Sequence, residues 1–223
     1  MTITNAKYQL VIDVEENQVP VLVLENAEIY SEFVEAFCRQ CAGEEGEILL
    51  SEDHKPKQLS KCADIILDYF SLDFNSRAIQ SHLYQQLRDV GNELVTEKER
   101  FIQQGVGLME DLLEHSRFDH VVYNLDLEWN DIFKLFHVSI EEDYVNLQEK
   151  LISYLRLCAE LLNKKLVIFV NLKAYLSEGN LLELYQMAGY FKIQLLLIES
   201  VEGEALPPEK YFIIDRDQCL IVK

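Results

Sequence analysis

Residues 166–198 of the chain read LVIFVNLKAYLSEGNLLELYQMAGYFKIQLLLI. The two ends of this stretch, Leu166–Val170 and Ile193–Ile198, are almost wholly apolar, which is typical of strands that are covered on both faces. Between them, Leu181–Tyr190 has the pattern of a helix. A strand, a helix and a second strand in this order predict a βαβ unit whose strands run parallel.

The N-terminal third and the C-terminal end also favour strands, with one helix between them. Apolar and polar residues alternate over Tyr8–Val14, which predicts a half-buried strand, whereas the continuous apolar run Val19–Leu24 predicts a more buried one. Asn26 is expected to cap a helix whose apolar residues are spaced by four. Ile48–Leu50 predicts a short strand, and Tyr211–Val222 predicts a hairpin around a charged turn.

The middle of the chain has helical periodicity instead. From Ser76 to about Glu114 the apolar residues follow helical spacing, and four of them recur every seven residues. A second apolar stripe runs along Tyr144–Leu162. We therefore predict two long antiparallel helices, inserted as a leg (residues 76–150) between two parts of an α/β head (residues 1–75 and 151–223).

Composition limits the class of protein. Among 223 residues, 20 Lys and Arg oppose 39 Asp and Glu, so the formal net charge is −19, while 49% of the residues are hydrophobic. That apolar fraction excludes a disordered acidic tail, and the charge argues against nucleic acid as a partner. No secretory leader or membrane-spanning run is visible, and the five scattered cysteines indicate reduced thiols, so we expect a cytoplasmic protein.

The spacing of Cys38 and Cys41 raises the possibility of a zinc site, with His54 and Cys62 as further ligands. No second pair of Cys or His at ligand spacing supports it. Both cysteines also lie on a predicted amphipathic helix, three residues apart. Core packing is therefore the favoured interpretation of this pair.

Nucleotide-binding motifs are absent from the sequence. The predicted strand that ends at Leu24 is followed by Glu25–Tyr30, which contains no glycine and no Gly-Lys-Ser/Thr to hold phosphates. The later strand is followed by Asn171, where a magnesium-dependent NTPase would place an Asp. These departures argue against nucleotide hydrolysis.

The strongest candidate site is the acidic stretch NLDLEWND at residues 124–131. In an extended segment Asn124, Asp126, Glu128 and Asn130 would lie on one side. Calcium takes six to eight oxygen ligands, so this alternation suits it, although the spacing is not that of an EF-hand. The alternative is an acidic, solvent-exposed connector that binds nothing.

In the order in which they occur, four segments resemble the small CRISPR-associated adaptation protein of type II-A systems, which helps bacteria to acquire new spacers. These segments are Val21–Asn26, Asp64–Ser76, Leu125–Glu128 and Lys164–Leu176. The resemblance implies an α/β fold: an NTPase-like head with a central, partly parallel sheet that lacks nucleotide motifs, and an inserted helical leg. It implies no catalytic activity.

The resemblance also implies a homotetrameric ring that binds ends of linear double-stranded DNA without sequence preference, in a lysine-lined channel. It implies calcium held by acidic residues of the leg, where Asp126 and Glu128 match the family. Relatives often carry an acid at the position of Asn130, so either the calcium sites are fewer or weaker, or Asp119 and Asp131 take its place. Individual channel lysines cannot be matched.

The partners that the resemblance implies are the integrase and the RNA-guided nuclease of the same CRISPR system. Two alternatives stay open. One is an interaction adaptor that docks a basic partner through its acidic surface and has lost DNA binding. The other is a degenerate NTPase, or a metal-dependent nuclease built around Asp126 and Glu128.

Overall fold

The structure is a computed structural model that describes residues 1–15, 17–117, 120–124 and 126–223. Within those residues the strands are β1 (Thr2–Asn5), β2 (Leu10–Asp13), β3 (Val19–Leu24), β4 (Ile48–Glu52), β5 (Lys55–Lys57), β6 (Ala63–Ile66), β7 (Leu166–Val170), β8 (Gln194–Glu199), β9 (Glu209–Ile214) and β10 (Leu220–Val222). The helices are α1 (Ala27–Cys41), α2 (Leu59–Cys62), α3 (Arg77–Gly91), α4 (Val95–Glu114), α5 (Trp129–Leu135), α6 (Leu147–Glu160) and α7 (Glu178–Tyr190). None of these helices combines the length and the apolar character needed to cross a membrane.

A six-stranded sheet, in the order β10-β9-β3-β8-β7-β6, forms the centre of the fold. Strands β7 and β8 pair in parallel and α7 connects them, so the predicted βαβ unit is confirmed. Every residue of β3 and of β7 is buried. Their continuous apolar sequences are explained by this coverage of both sheet faces.

One edge of the central sheet is antiparallel. Strand β9 pairs in parallel with β3 but antiparallel with β10, which confirms the predicted terminal hairpin. The sheet is therefore partly parallel, and the α/β fold class is confirmed.

A second sheet, which we did not predict as a separate layer, is antiparallel with the order β2-β1-β4-β5. The predicted strands around Leu10 and Ile48 both belong to it. Their inward residues share one buried cluster with Phe33 and Phe37 of α1. Strand β1 (Thr2–Asn5) escaped prediction because only one of its four residues is apolar.

The chain divides into two compact units, Met1–Leu72 with Asp143–Lys223 (unit 1) and Asp73–Glu142 (unit 2). Helix α6 belongs to unit 1, where Leu151, Leu155 and Cys158 are fully buried. The prediction that this helix pairs with the preceding long helix in the leg was therefore wrong. Its apolar stripe packs inside unit 1 instead, partly against α7.

The single long helix predicted from Ser76 to Glu114 is in fact two, α3 and α4. Leu94 leaves helical geometry between them, with φ −108° and ψ 36°. Gly91, the last residue of α3, packs so closely on the Trp129 ring that an added Cβ would lie 2.6 Å from it. Glycine is a weak helix former, so the residue that permits this contact also favours the end of the helix.

The Asp73–Ser76 segment, which carries part of the family resemblance, joins the two chain ends of unit 2. The Asn75 side chain accepts from the Ile140 backbone N–H at 2.8 Å and donates to its carbonyl at 2.9 Å. Asp73 Oδ1 in turn accepts from the Asn75 backbone N–H at 2.8 Å. These contacts give the segment a structural role.

Candidate nucleic-acid interface

The position that holds phosphate in NTPases is closed here by a side chain. At the end of β3, Asn26 caps α1, and its Oδ1 accepts from the backbone N–H groups of Glu28 at 2.9 Å and Ile29 at 3.3 Å. Free N–H groups at a helix N-terminus are what binds phosphate at such a position. The predicted cap is confirmed, and it occupies two of those groups.

Asn171, at the end of β7, also has a structural role. Its backbone lies in the left-handed region, with φ 56° and ψ 36°. The Oδ1 atom accepts from both the backbone N–H and the hydroxyl of Ser200, each at 3.2 Å. The amide therefore ties the end of β7 to the residue that follows β8, where an NTPase would need a carboxylate.

Glu199, the last residue of β8, is a buried carboxyl group that sequence reasoning missed. It is 5% exposed, and its Oε1 accepts from the Lys173 backbone N–H at 3.1 Å. The Lys173 ammonium instead pairs with Glu209 at 2.8 Å. Burial raises the pKa of Glu199 to about 7.

The acidic stretch predicted as a calcium region starts helix α5. Glu128 is the N-cap residue: its side chain accepts from the Asp131 backbone N–H, and Asp131 Oδ2 accepts from the Glu128 backbone N–H at 3.1 Å. This is a capping box. Lys98 also approaches Glu128 to 3.6 Å. Two of the predicted ligands therefore already have partners within the chain.

Asp126 lies in the segment before the helix, where its backbone N–H donates to Asn124 Oδ1 at 3.0 Å. The fourth predicted ligand, Asp119, lies outside the described residues. Among the residues that are described, no three His, Cys, Asp or Glu side chains come together to hold a metal. Asp126, Glu128 and Asp131 supply three carboxylates, and the Lys98 ammonium lies near one of them. These groups do not by themselves fit calcium, which takes six to eight oxygens.

The cysteines do not gather into a zinc site within the described part of the chain. Cys38 and Cys41 are free thiols on α1. Burial raises the pKa of Cys41 to about 12, and Cys41 and Cys62 pack against the core cluster. Core packing, the interpretation favoured from the sequence, agrees with these contacts.

A basic surface forms on unit 1 where β5, α2 and the start of β7 meet. We call it the lysine group, and it consists of Lys55, Lys57, Lys61, Lys164 and Lys165. Lys165 Nζ lies 2.8 Å from Glu52, and Lys57 Nζ lies 3.5 Å from the same carboxylate. Asp53 also lies near Lys165. The ammonium of the half-buried Lys164 instead lies near the thiols of Cys41 and Cys158.

Tertiary contacts bring the two parts of the lysine group together. Lys164 Nζ donates to the Ser60 carbonyl, 104 residues away in the chain, at 2.6 Å. The Lys165 backbone N–H donates to the Cys62 carbonyl at 2.8 Å. In the sequence, Lys164 and Lys165 directly precede a predicted buried strand, and nothing there relates them to Lys55–Lys61. The alternation of lysines in Lys55–Lys57 was a signal that could have been used, because residues two apart share one face of a strand.

Comparison with known proteins gives a family. Residues 40–218 match the family model described as CRISPR-associated protein (Cas_Csn2). The chain is also 26% identical over 208 residues to the CRISPR-associated protein Csn2 of Streptococcus agalactiae, an alignment that covers 90% of this chain and 89% of that protein. Since the family model spans well over half of the sequence, the chain belongs to the CRISPR-associated Csn2 family.

Proposed function

We propose that the chain acts in CRISPR adaptation by binding ends of linear double-stranded DNA, without sequence preference and without catalysis, as a homotetrameric ring. Family membership supports a role in adaptation. The observation that carries DNA binding is the lysine group, in which Lys57 and Lys165 meet at one carboxylate and Lys55 and Lys61 are exposed on adjoining elements, in a chain whose net charge is −19.

Phosphate attraction explains how so acidic a protein holds DNA. Lysines that neutralise phosphates release condensed counterions, which supplies most of the sequence-independent affinity. Lys55, Lys57, Lys61 and Lys165 are exposed. The lysine group therefore offers a local site for backbone phosphates and requires no contact with base edges.

A mobility-shift experiment with product gels tests this function. The protein is mixed with linear duplex and with covalently closed circular duplex, each with calcium or with chelator. A shift of the linear DNA alone, strengthened by calcium, supports the proposal. Cleaved DNA would indicate a nuclease, and no shift in any lane would favour an adaptor that has lost DNA binding.

Calcium is proposed on the family resemblance, with Asp119, Asp126, Glu128 and Asp131 as the expected ligands. The test must spare the helix cap that Glu128 forms. Asp126→Asn with Glu128→Gln keeps oxygen acceptors but removes two charges. Calcium is expected to raise the melting temperature of the parent protein and not that of the variant. An equal rise in both would remove these two residues from the site.

The proposed partners in the cell are the integrase and the RNA-guided nuclease of the same CRISPR system. Their copurification with the protein, compared in the presence and absence of nuclease treatment, separates direct contact from tethering through DNA. Loss of both partners after DNA is digested would contradict direct contact.

A further inference from the structure

A pocket of unit 1 lies at the edge of the central sheet where β3 and β8 begin, and it encloses about 730 Å³. We call it the β8 pocket. The closed phosphate position at Asn26 lies at the opposite end of β3. Pockets of roughly 300–1,000 Å³ are typical of sites for small organic ligands. The side chains that line the β8 pocket include Glu15, Leu182, Tyr185, Tyr190, Lys192 and Gln194.

Two tyrosines of α7 give the β8 pocket aromatic surface. The Tyr185 ring is almost buried, and its hydroxyl donates to Glu209 at 2.8 Å, which holds the side chain in place. Tyr190 is 77% exposed, and its ring meets the Phe191 ring edge-on with 5.5 Å between the centroids. Leu182 adds an exposed apolar side chain. Aromatic side chains of this kind bind flat heteroaromatic rings by stacking.

Gln194, the first residue of β8, brings an unpaired polar atom to the β8 pocket. Its Nε2 donates to the Val14 carbonyl at 3.1 Å. Its Oε1 is buried and accepts from no residue in the described part of the chain. The reversed amide would set this oxygen against the Val14 carbonyl, so the bond to Val14 determines which atom is unpaired. A buried acceptor without a donor is costly, and an N–H group of a ligand would remove that cost.

Lys192 lines the β8 pocket from a strained backbone position. Its φ of 58° lies in the left-handed region, where glycine is the usual residue after a helix. The Lys192 backbone N–H donates to the Gly189 carbonyl at 3.1 Å and that of Ile193 to the Ala188 carbonyl at 2.9 Å, which is a Schellman motif. Backbone strain of this kind gathers at functional sites.

The two charged side chains that line the β8 pocket are Lys192 and Glu15. Both are exposed, and neither forms an ion pair with a described residue. The β8 pocket therefore offers one cation, one carboxylate, two aromatic rings and one buried acceptor to a ligand.

We propose that the β8 pocket binds a ribonucleoside 5′-monophosphate whose base carries an amino group. The base lies against the tyrosine rings, and its amino group donates to Gln194 Oε1. Lys192 contacts the phosphate, and Glu15 accepts from the ribose hydroxyls, as acidic residues do in dinucleotide sites. An apolar ligand would leave Gln194 Oε1 unpaired, and inorganic phosphate would leave the rings uncovered. The inference does not rest on DNA-end binding.

Isothermal titration calorimetry with two ligands tests the contact to the base. The ligands are AMP and purine riboside 5′-monophosphate, which lacks only the amino group. The parent protein is expected to bind AMP about tenfold more tightly, because only AMP supplies a donor to the buried acceptor. In Gln194→Met, which keeps the length of the side chain, the two ligands should bind alike. A parent that binds no AMP, or that binds both ligands equally, would overturn the proposal, as would a tenfold preference that persists in the variant.

A second variant tests the contact to the phosphate and does not depend on the folding of Gln194→Met. Lys192→Gly removes the cation but places the favoured residue at the left-handed position, so the melting temperature should not fall. Its affinity for AMP should drop by about threefold, as for an exposed charge pair, whereas its affinity for adenosine, which has no phosphate, should stay that of the parent.

The matched control is Arg216→Gln, which removes one positive charge at the turn that follows β9, whereas Pro208 of the β8 pocket precedes that strand. Its affinity for AMP should equal that of the parent. Equal losses in the Lys192 and Arg216 variants, or a loss of adenosine as large as that of AMP, would overturn the phosphate contact. The mobility shift of linear DNA should be unchanged in Gln194→Met, so this inference and the proposed function fail in separate measurements.

Discussion

The two ends of strand β4 carry opposite charges. Glu45 and Glu47 precede the strand, whereas Lys55 and Lys57 follow it in β5. Strand β5 folds back along β4, so that Lys57 pairs with Leu50 and lines one pocket with Glu45. The two groups of charges are therefore neighbours, and within a Debye length of ~8 Å at physiological salt the carboxylates weaken the attraction of the lysines for phosphate.

This difference explains why the net charge of −19 is a poor guide to the partner. The value sums over all surfaces, whereas a ligand senses mainly the charges within a Debye length. Composition argued against nucleic acid, and that argument holds for most of the chain. It does not hold for the lysine group, where Lys57 and Lys165 share Glu52 and Lys55 and Lys61 are exposed.

Carboxyl groups of the chain also differ in burial. The burial of one of them, Glu199, gives the largest of the effects expected here. The carboxylates of Glu45 and Glu47 are exposed, but Glu199 is buried with a pKa raised from 4.5 to about 7. Between pH 4.5 and about pH 7, Glu199 is mostly protonated in the folded state and mostly ionised in the unfolded state. The contribution of Glu199 to stability is therefore full below about pH 4.5, declines as the pH rises towards 7, and is lost above it.

Unfolding in urea at pH 5 and pH 8 measures this effect. Relative to Glu199→Gln, the parent protein should lose about 2.5 kcal/mol of unfolding free energy between the two pH values. The difference between the two proteins isolates Glu199 from the other titrating groups. A difference that does not change with pH would show that Glu199 is ionised in the folded state at pH 5.

In the lysine group, the triple variant Lys55→Gln, Lys57→Gln and Lys61→Gln removes three of the five ammonium groups. Its affinity for a linear duplex is expected to fall by about 30-fold at physiological salt, because three phosphate contacts are lost. The measurement is a titration followed by mobility shift.

The matched control for that variant lowers the charge equally elsewhere on unit 1. It consists of Lys192→Gln, Lys210→Gln and Lys223→Gln. Its affinity for DNA should change by less than about threefold. If the control loses as much affinity as the triple variant, the lysine group is not the DNA site.

The smallest expected effect tests how far the carboxylates before β4 weaken the attraction of the lysine group for DNA. Glu45→Lys with Glu47→Lys reverses the charge beside Lys57. Its affinity for DNA should rise by about threefold at physiological salt and by more at low salt, where screening is weaker. An unchanged affinity at low salt would mean that these carboxylates do not influence the DNA site.

The sequence was sufficient to predict those elements that depend on the burial of a short run or on contacts between neighbouring residues. Strand β7 is buried on both faces, so the run Leu166–Val170 has no polar residue and its assignment was correct. Asn26 was predicted as a cap because its side chain competes for nearby backbone N–H groups, and it does so.

Long-range contacts account for what the sequence did not reveal. The close packing of Gly91, the last residue of α3, on Trp129 joins residues that are distant in the chain. The apolar stripe of α6 predicted that one face of this helix is buried. It did not indicate which of the two units buries that face. The lysine group likewise requires β7 to lie beside α2, a contact that joins Lys164 to Ser60 across 104 residues.

The salt dependence of DNA binding tests the central claim most directly. The affinity of the parent protein and of the triple lysine variant for one blunt linear duplex is measured over a range of salt concentrations. The account predicts a steep decline of log affinity with log salt, and a slope shallower by about 2.7 in the variant, because each phosphate contact contributes about 0.9. A flat dependence in the parent, or the same slope in both proteins, would contradict it.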